Sequence, residues 1–159
     1  MKLALTGHTG YIGNIIQQHF SSVQGFSRSN GFDIRYKQKE IIEMAQDCDI
    51  FINCAHGGPG FAQTEMFWNI FKHWQFENKT IINIGSSQAD YSTWTKIRHG
   101  YCSEKSALSA AVEEAQHMQR LCKVSIINPC VVNDSVAKDL ITAINFCIQA
   151  NREIKSIDL

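Results

Sequence analysis

The chain has no excess of either charge, since 15 lysines and arginines balance 15 aspartates and glutamates in 159 residues. It therefore offers no broad basic face for nucleic acid and no acidic tail. Its six cysteines include no CxxC pair, which argues against a metal site and against a secreted disulfide framework. The first apolar run breaks at Thr6 and Gly7, too early for a signal peptide or a membrane span. We therefore expect a cytoplasmic protein that binds a small molecule, with no metal, nucleic-acid or membrane partner.

The residues that are present are typical of one globular domain over residues 1–159, with 44% hydrophobic and 19% charged side chains. Short, continuous apolar runs alternate with helical patterns along the chain. This alternation predicts an α/β fold, a Rossmann-type doubly wound parallel sheet with helices on both faces. Strands are predicted at 2–6, 23–27, 49–54, 80–85, 124–128 and 154–159, and helices at 11–20, 37–46, 62–76, from 101 onward and at 135–150.

Three glycines follow the first predicted strand at intervals of three residues, in the segment TGHTGYIG. Glycines at such positions permit a tight turn, a close approach of the backbone to a pyrophosphate, and close packing of the next helix. Glycine triplets also occur in ordinary turns, but the position after an N-terminal strand favours a dinucleotide site. The candidate contacts are Gly7, His8, Thr9, Gly10, Tyr11, Ile12 and Gly13.

Ser27 ends the second predicted strand and Arg28 follows it, at the place where NAD-binding sheets usually carry a carboxylate for the ribose hydroxyls. A serine and a guanidinium would instead bind a 2′-phosphate, so the sequence favours NADP(H) over NAD(H). An arginine that is merely solvated after a strand is the alternative. Asp33 comes too late to replace the missing carboxylate, and we expect it to flank the adenine together with Ile34.

Tyr101 and Lys105 lie four residues apart at the start of a predicted helix. Positions i and i+4 share a helix face, so the ammonium would lie beside the phenol and favour its ionised form. A phenol so placed can exchange a proton with an alcohol or a carbonyl. Alone, such a pair is usually a surface neighbour contact, and its meaning depends on the other motifs.

Together these motifs resemble the short-chain dehydrogenase/reductase family, in the glycine spacing of its extended and atypical branches. Residues 53–57, NCAHG, stand where the family has an NNAG-like turn that braces the sheet and touches the adenine ribose. Residues 101–105, YCSEK, match YxxxK, and residues 128–131, NPCV, are similar to the NPG turn beside the nicotinamide. The resemblance adds these candidate cofactor contacts: Asn53, Ala55, His56, Tyr101, Lys105, Pro129 and Val131.

The resemblance also implies catalytic roles. Tyr101 would be the acid or base, Lys105 would support the phenol and hold the nicotinamide ribose, and Ser86 would bond the substrate oxygen. Ser87 is the fallback for Ser86. The family often has an asparagine in the preceding helix, for which Asn69 is the candidate; an ordinary helix residue is the alternative.

Extended members commonly carry a C-terminal substrate domain that is not evident in this sequence. The substrate pocket is then expected from loops 56–63 and 88–100. The second loop carries cations and aromatic residues that would attract an anionic substrate, although a solvated basic loop is the simpler interpretation. His56 is a minor substrate-contact candidate. The loop residues concerned are Tyr91, Trp94, Lys96, Arg98 and His99.

The predicted helix at 62–76 has more aromatic surface than one sheet face needs, and the next helix is rich in alanine. Because family members commonly dimerise through these two helices, we expect a homodimer. The favoured function is an NADP-dependent oxidoreductase acting on a small or sugar-like carbonyl or alcohol. The alternative is a catalytically silent NAD(P)-binding sensor or interaction protein, and a nucleotide-sugar epimerase or dehydratase is a weaker one.

Overall fold

Six strands and five helices alternate along the chain in a computed structural model that describes residues 1–87, 100–130, 133–150 and 153–159. The predicted boundaries are shifted by no more than two residues. The strands are β1 Leu3–Thr6, β2 Val23–Phe26, β3 Ile50–Asn53, β4 Thr80–Ile84, β5 Lys123–Asn128 and β6 Ser156–Asp158. The helices are α1 Tyr11–His19, α2 Gln38–Met44, α3 Ala62–Trp74, α4 Tyr101–His117 and α5 Asp134–Gln149, and a 3₁₀ turn lies at Arg28–Asn30.

All six strands are parallel and form one sheet in the order β2-β1-β3-β4-β5-β6. The chain moves outward from β1 to β2, then returns across β1 to β3 and continues in the other direction. Ligands bind at such a reversal, in the crevice beyond the carboxyl ends of the strands. At this end the register aligns Thr6 with Asn53 and Asn53 with Asn83.

The centre of the sheet is buried on both faces, which explains why β1, β3 and β4 are mainly apolar rather than alternating, whereas the edge strands β2 and β6 are partly exposed. On one face, α2, α3 and α4 pack against residues such as Phe51 and Ile81. On the other face, α1 and α5 pack against residues such as Leu5 and Ile52. The predicted doubly wound α/β architecture is therefore confirmed.

The aromatic residues of α3 are used mainly inside this core. Phe67, Phe71 and Trp74 are essentially fully buried, and the Trp74 ring meets the Phe51 ring edge-on with centroids 6.0 Å apart. Trp68 is only partly buried, against Phe67 and Phe71. Of the aromatic surface expected beyond the needs of the sheet, Trp68 is the part of α3 that is left incompletely buried. None of the helices in the described part of the chain is long and apolar enough to span a membrane.

Candidate active site

The loop between β1 and α1 is built around its glycines. Gly7 has a φ of 74°, and a Cβ there would lie 2.9 Å from the Ala55 Cα, closer than side-chain carbons approach. A Cβ on Gly13 would overlap the Gly7 carbonyl, so the first turn of α1 packs directly on the loop. The Gly10 amide donates to the Gly7 carbonyl at 2.9 Å and closes the turn. The expected tight turn and close helix packing are both present.

The N-terminus of α1 opens onto this loop. Gly10 caps the helix without a side-chain hydrogen bond, and the first turn carries no acidic residue. The first amides of a helix have no acceptor within the helix and attract an anion. The loop therefore has the backbone arrangement that suits a pyrophosphate.

A cleft of about 1090 Å³ lies at the carboxyl ends of β2, β1 and β3, where the strand order reverses. Its walls come from the three segments that follow these strands. Twelve of the predicted cofactor contacts line it: Gly7, Thr9, Gly10, Tyr11, Ile12, Gly13, Ser27, Arg28, Asp33, Ile34, Ala55 and His56. The sequence did not single out Ser29, Phe32, Cys54, Gly57 and Gly58, which also line the cleft.

Five other predicted contacts within the described residues are not part of the cleft lining: His8, Asn53, Tyr101, Lys105 and Pro129. The His8 ring packs closely against Gly25 of β2. Asn53 is fully buried below the loop, and Pro129 is buried with its carbonyl accepting from the Ser87 amide at 3.2 Å. Val131 lies outside the described residues.

Arg28 lines the cleft and directly follows the buried Ser27. The backbone there is held locally, because the Ser27 amide donates to Asn30 Oδ1 at 2.8 Å and Asn30 Nδ2 donates to the Gly25 carbonyl at 2.9 Å. The Arg28 side chain is exposed and forms no ion pair or side-chain hydrogen bond with the residues that the structure describes. Its guanidinium is available to an anion entering the cleft.

Asp33 faces the same cleft but its charge is already paired. Arg35 Nε donates to both Asp33 carboxylate oxygens, at 3.0 and 3.1 Å. These bonds from Arg35 lower the pKa of Asp33 to about 2. The carboxylate is therefore ionised but compensated, and it opposes an anion at Arg28 less than a free aspartate would.

A buried polar network braces the carboxyl ends of β3 and β4. Asn53 Nδ2 donates to Asn83 Oδ1 at 3.0 Å and to the Gln63 carbonyl at 2.9 Å. Gln63 Nε2 in turn donates to the Asn53 carbonyl at 2.8 Å and to the Ile84 carbonyl at 3.0 Å. Buried amides of this kind are costly unless bonded, so the network favours one arrangement of α3 on the sheet. Asn53 thus links the carboxyl ends of β3 and β4 to the start of α3.

Lys105 completes this network from α4. Its Nζ donates to Gln63 Oε1 at 2.8 Å and to the Ile84 carbonyl at 2.9 Å, and only 4% of the residue is exposed. Burial lowers the pKa of Lys105 to about 8, while the charges of Cys54 and Glu104 act in the opposite direction. Lys105 is therefore a fixed ammonium near neutral pH that loses its proton more readily than an exposed lysine.

Tyr101 begins α4, immediately after Gly100, which has a φ of 87°. Lys105 Nζ lies 5.7 Å from the centroid of the Tyr101 ring, so the two side chains do share a helix face. The His56 ring lies on Tyr101 as well, with centroids 5.1 Å apart. The phenol is half-buried at the carboxyl end of the sheet, between the cation and the loop after β3.

Ser86 follows β4 at the same end of the sheet. It is buried, and it lies two residues beyond Ile84, whose carbonyl accepts from Lys105. Ser87 is half-buried and its amide is tied to Pro129.

Asn69 does not join the site. It is exposed on α3, and its amide nitrogen donates to Gln38 Oε1 in α2 at 2.6 Å. Asn69 and Gln63 are six residues apart, about 1.7 helical turns, and so lie on different sides of α3. The amide in contact with Lys105 belongs to Gln63, and Asn69 instead links α2 to α3.

The basic loop considered from the sequence lies outside the described residues, which resume at Gly100. The loop residues that lie outside the described part of the chain are Tyr91, Trp94, Lys96, Arg98 and His99. In the described ranges, no group of three or more His, Cys, Asp or Glu residues is arranged to hold a metal ion.

No protein-family model and no curated protein matches the sequence. Solved structures do match it in three dimensions. A small-chain dehydrogenase superposes with a TM-score of 0.75 at 18% identity, over 100% of this chain and 96% of that chain. The fold is that of the short-chain dehydrogenases.

Two further structures with the short-chain dehydrogenase fold were solved with a nicotinamide cofactor. 4-Hydroxyisoleucine dehydrogenase complexed with NADH gives a TM-score of 0.74 at 16% identity, over 100% of this chain and 97% of that chain. A small-chain dehydrogenase in complex with NADPH gives 0.68 at 17% identity, over 100% of this chain and 96% of that chain.

Sequence reasoning missed two residues of the site on this short-chain dehydrogenase fold. Gln63 holds Lys105, and Glu104 lies 2.6 Å from His56 Nε2 through its Oε2. Glu104 could have been suspected from the sequence, because it is a charged residue inside the YxxxK motif, on the helix turn that joins Tyr101 to Lys105. The sequence gives a weaker reason to suspect Gln63, which is a polar side chain in the first turn of the helix that follows the loop after β3.

Proposed function

We propose that this chain is an NADP-dependent oxidoreductase of the short-chain dehydrogenase type, acting on a small or sugar-like carbonyl or alcohol. The observation that carries the proposal is the buried Lys105 ammonium, held 5.7 Å from the Tyr101 ring at the carboxyl end of the sheet. Lysines are rarely buried. One that donates to a side-chain amide and a strand carbonyl beside a phenol indicates a functional rather than a purely structural role.

In the proposed mechanism, the proton that is transferred is the one carried by Tyr101 Oη. In reduction, Tyr101 Oη gives its proton to the carbonyl oxygen, and in oxidation the phenolate takes the proton from the alcohol. Lys105 stabilises the phenolate charge that reduction leaves behind. Ser86 donates a hydrogen bond to the same substrate oxygen as negative charge builds there. Bound NADPH supplies hydride transfer to the carbonyl carbon.

The cleft residues fit this cofactor. The glycine loop and the first amides of α1 would hold the pyrophosphate, and Ser27 and Arg28 would hold the 2′-phosphate. Ile34 and Ala55 would form apolar walls for the adenosine. The resemblance assigns Pro129 and Val131 to the nicotinamide end. The NADPH and NADH complexes among the structural neighbours support a nicotinamide cofactor in general.

The function is tested by mixing the purified protein with NADPH and a panel of aldehydes, ketones and keto sugars, and following NADPH oxidation. Turnover of at least one compound is the expected result. Tight NADPH binding without any oxidation would contradict the proposal and would favour the silent sensor. Localisation in the cytoplasm and an anionic substrate stay predictions.

Arg28→Ala should weaken NADPH binding by about 10- to 100-fold and leave NADH binding nearly unchanged. The reason is that a hydrogen bond to a charged group contributes about 1.5–3 kcal/mol, and only NADPH carries the 2′-phosphate. Both dissociation constants can be measured by isothermal titration calorimetry. Lys39→Ala removes an exposed cation from α2 and serves as the control. Equal losses for the two cofactors would show that Arg28 does not contact the phosphate.

We also infer a homodimer through the outer faces of α3 and α4. Trp68 is the partly buried aromatic residue on α3, and Ala107 and Ala110 on α4 are not buried within the subunit. Small residues of this kind allow two helices to approach closely. Size-exclusion chromatography with light scattering should give the dimer mass at micromolar concentration, and a monomer mass would remove the inference.

A further inference from the structure

Glu104 is a carboxylate buried inside the proposed site. Only 8% of the residue is exposed, although acidic side chains are rarely buried without partners. Its Oε1 accepts from the Gly60 amide at 3.1 Å, and its Oε2 lies 2.6 Å from His56 Nε2. Both oxygens therefore point from α4 to the loop that follows β3. A buried charge with these partners has a defined geometry rather than a solvated one.

His56 joins this carboxylate to the loop and to the phenol. The Gly58 amide donates to His56 Nδ1 at 3.3 Å, an arrangement that leaves the ring proton on Nε2, the nitrogen that lies 2.6 Å from Glu104 Oε2. The imidazole is also tilted by 48° against the Tyr101 ring at 5.1 Å between centroids, and it lines the cofactor cleft. One side chain thus contacts the proposed acid, the buried carboxylate and the cleft.

The loop of residues 57–60 depends on these bonds. Gly57, Gly58 and Gly60 have φ values of 79°, 83° and 118°, in a region that glycine alone adopts easily. A Cβ on Gly58 or Gly60 would meet nothing within 4 Å, so side-chain packing does not hold the backbone there. Their amides are the two donors to His56 and Glu104. Gly57 lies close to Ala62 and Ile34, whereas at Gly58 and Gly60 hydrogen bonds rather than packing hold the backbone.

The charge of Glu104 has a second effect on the same site. It raises the pKa of Lys105 and so opposes the effect of burial on that lysine. The carboxylate therefore supports both the position of the loop and the ammonium beside Tyr101.

We propose that Glu104 and His56 form a clamp that fixes the loop 57–60 beside Tyr101, and that both are positioning residues for the phenol. The clamp follows from the geometry alone, whereas its effect on turnover rests on the proposed function. The two parts are therefore tested by separate measurements.

The clamp itself is tested by amide hydrogen exchange, measured by NMR on the uniformly labelled protein. In Glu104→Ala, exchange at Gly60 and Gly58 should accelerate about tenfold or more, because opening loses bonds to a charged group. The Gly10 amide, bonded to the Gly7 carbonyl, should be unchanged. Glu114→Gln alters an exposed carboxylate on the same helix and is the matched control. Unchanged exchange at Gly58 and Gly60 would overturn the clamp.

The positioning role is tested by NADPH-dependent turnover of a carbonyl compound accepted by the wild-type protein. Glu104→Ala should lower kcat about tenfold with less than threefold change in KM for NADPH, an effect on positioning rather than on uniform binding. His56→Gln keeps an amide donor toward Glu104 and should retain more activity than His56→Ala. An unchanged kcat despite accelerated loop exchange would overturn the positioning role. If the wild-type protein has no turnover, the proposed function fails and the exchange data alone decide the clamp.

Discussion

Replacing Tyr101 by phenylalanine should lower the rate of NADPH-dependent carbonyl reduction by about 10²- to 10⁴-fold, the range that a positioned proton donor contributes. The change removes one oxygen and leaves the ring, so its contacts with His56 and Lys105 are kept. Without the hydroxyl, no proton is available at the place where the carbonyl oxygen acquires charge. Initial rates of NADPH oxidation, at saturating substrate, measure the loss in kcat.

The specificity of this result is checked in two ways. NADPH binding by Tyr101→Phe should stay within about threefold of the wild-type value, since the variant removes an interaction made in the transition state. Tyr36→Phe is a matched control, because that phenol is 76% exposed on the surface. Normal turnover in Tyr101→Phe would exclude the proposed acid and direct attention to another proton donor.

Gly13→Ala should lower the free energy of unfolding by about 3 kcal/mol, at the upper end of the range for overpacking. The added Cβ would overlap the Gly7 carbonyl oxygen, which belongs to the backbone and cannot rotate away. The intrinsic preference of helices for alanine, worth about 1 kcal/mol, offsets only part of this cost. Urea denaturation gives the free energy, and the melting temperature should fall by about 10 °C.

Gly10→Ala separates the fold from the ligand site in the same loop. Gly10 has a φ of −73°, which any residue adopts, and its Cβ would lie 3.3 Å from the Gly7 carbonyl oxygen. We expect a loss of stability below about 1 kcal/mol. NADPH affinity should still fall about tenfold, because the methyl group enters the cleft where the backbone approaches the pyrophosphate. For Gly13→Ala, in contrast, an unchanged free energy of unfolding would contradict the prediction and would show that α1 can move away from the loop.

Much of the fold was predictable because its signals are local. The central strands β1, β3 and β4 are short, mainly apolar runs, and the helices have repeating buried positions, so the element order follows from neighbouring residues. The glycine loop was predictable for the same reason, since Gly7, Gly10 and Gly13 belong to one short segment of the chain and all line the cleft. The Tyr101 and Lys105 contact follows from helix geometry alone.

The missed residues depend on contacts between distant parts of the chain. Gln63 and Lys105 are 42 positions apart, and His56 meets Glu104 only because the loop after β3 lies against the start of α4. Asn69 shows the same limit in the opposite direction. Its place in the helix before the serine strand was predictable, but the side of α3 that faces the sheet is decided by the packing of Phe67, Phe71 and Trp74.

The sequence by itself determined a parallel α/β sheet with a glycine loop after its first strand, and a tyrosine and a lysine on one helix face. These are properties of short segments, whose backbone conformation depends on nearby residues. Only the tertiary structure decided that Lys105 is buried against Gln63 and Ile84, so that its pKa falls to about 8. Only the tertiary structure also brought the His56 ring to both Glu104 and Tyr101. Burial and long-range hydrogen bonds arise when segments pack, and no spacing within one segment specifies them.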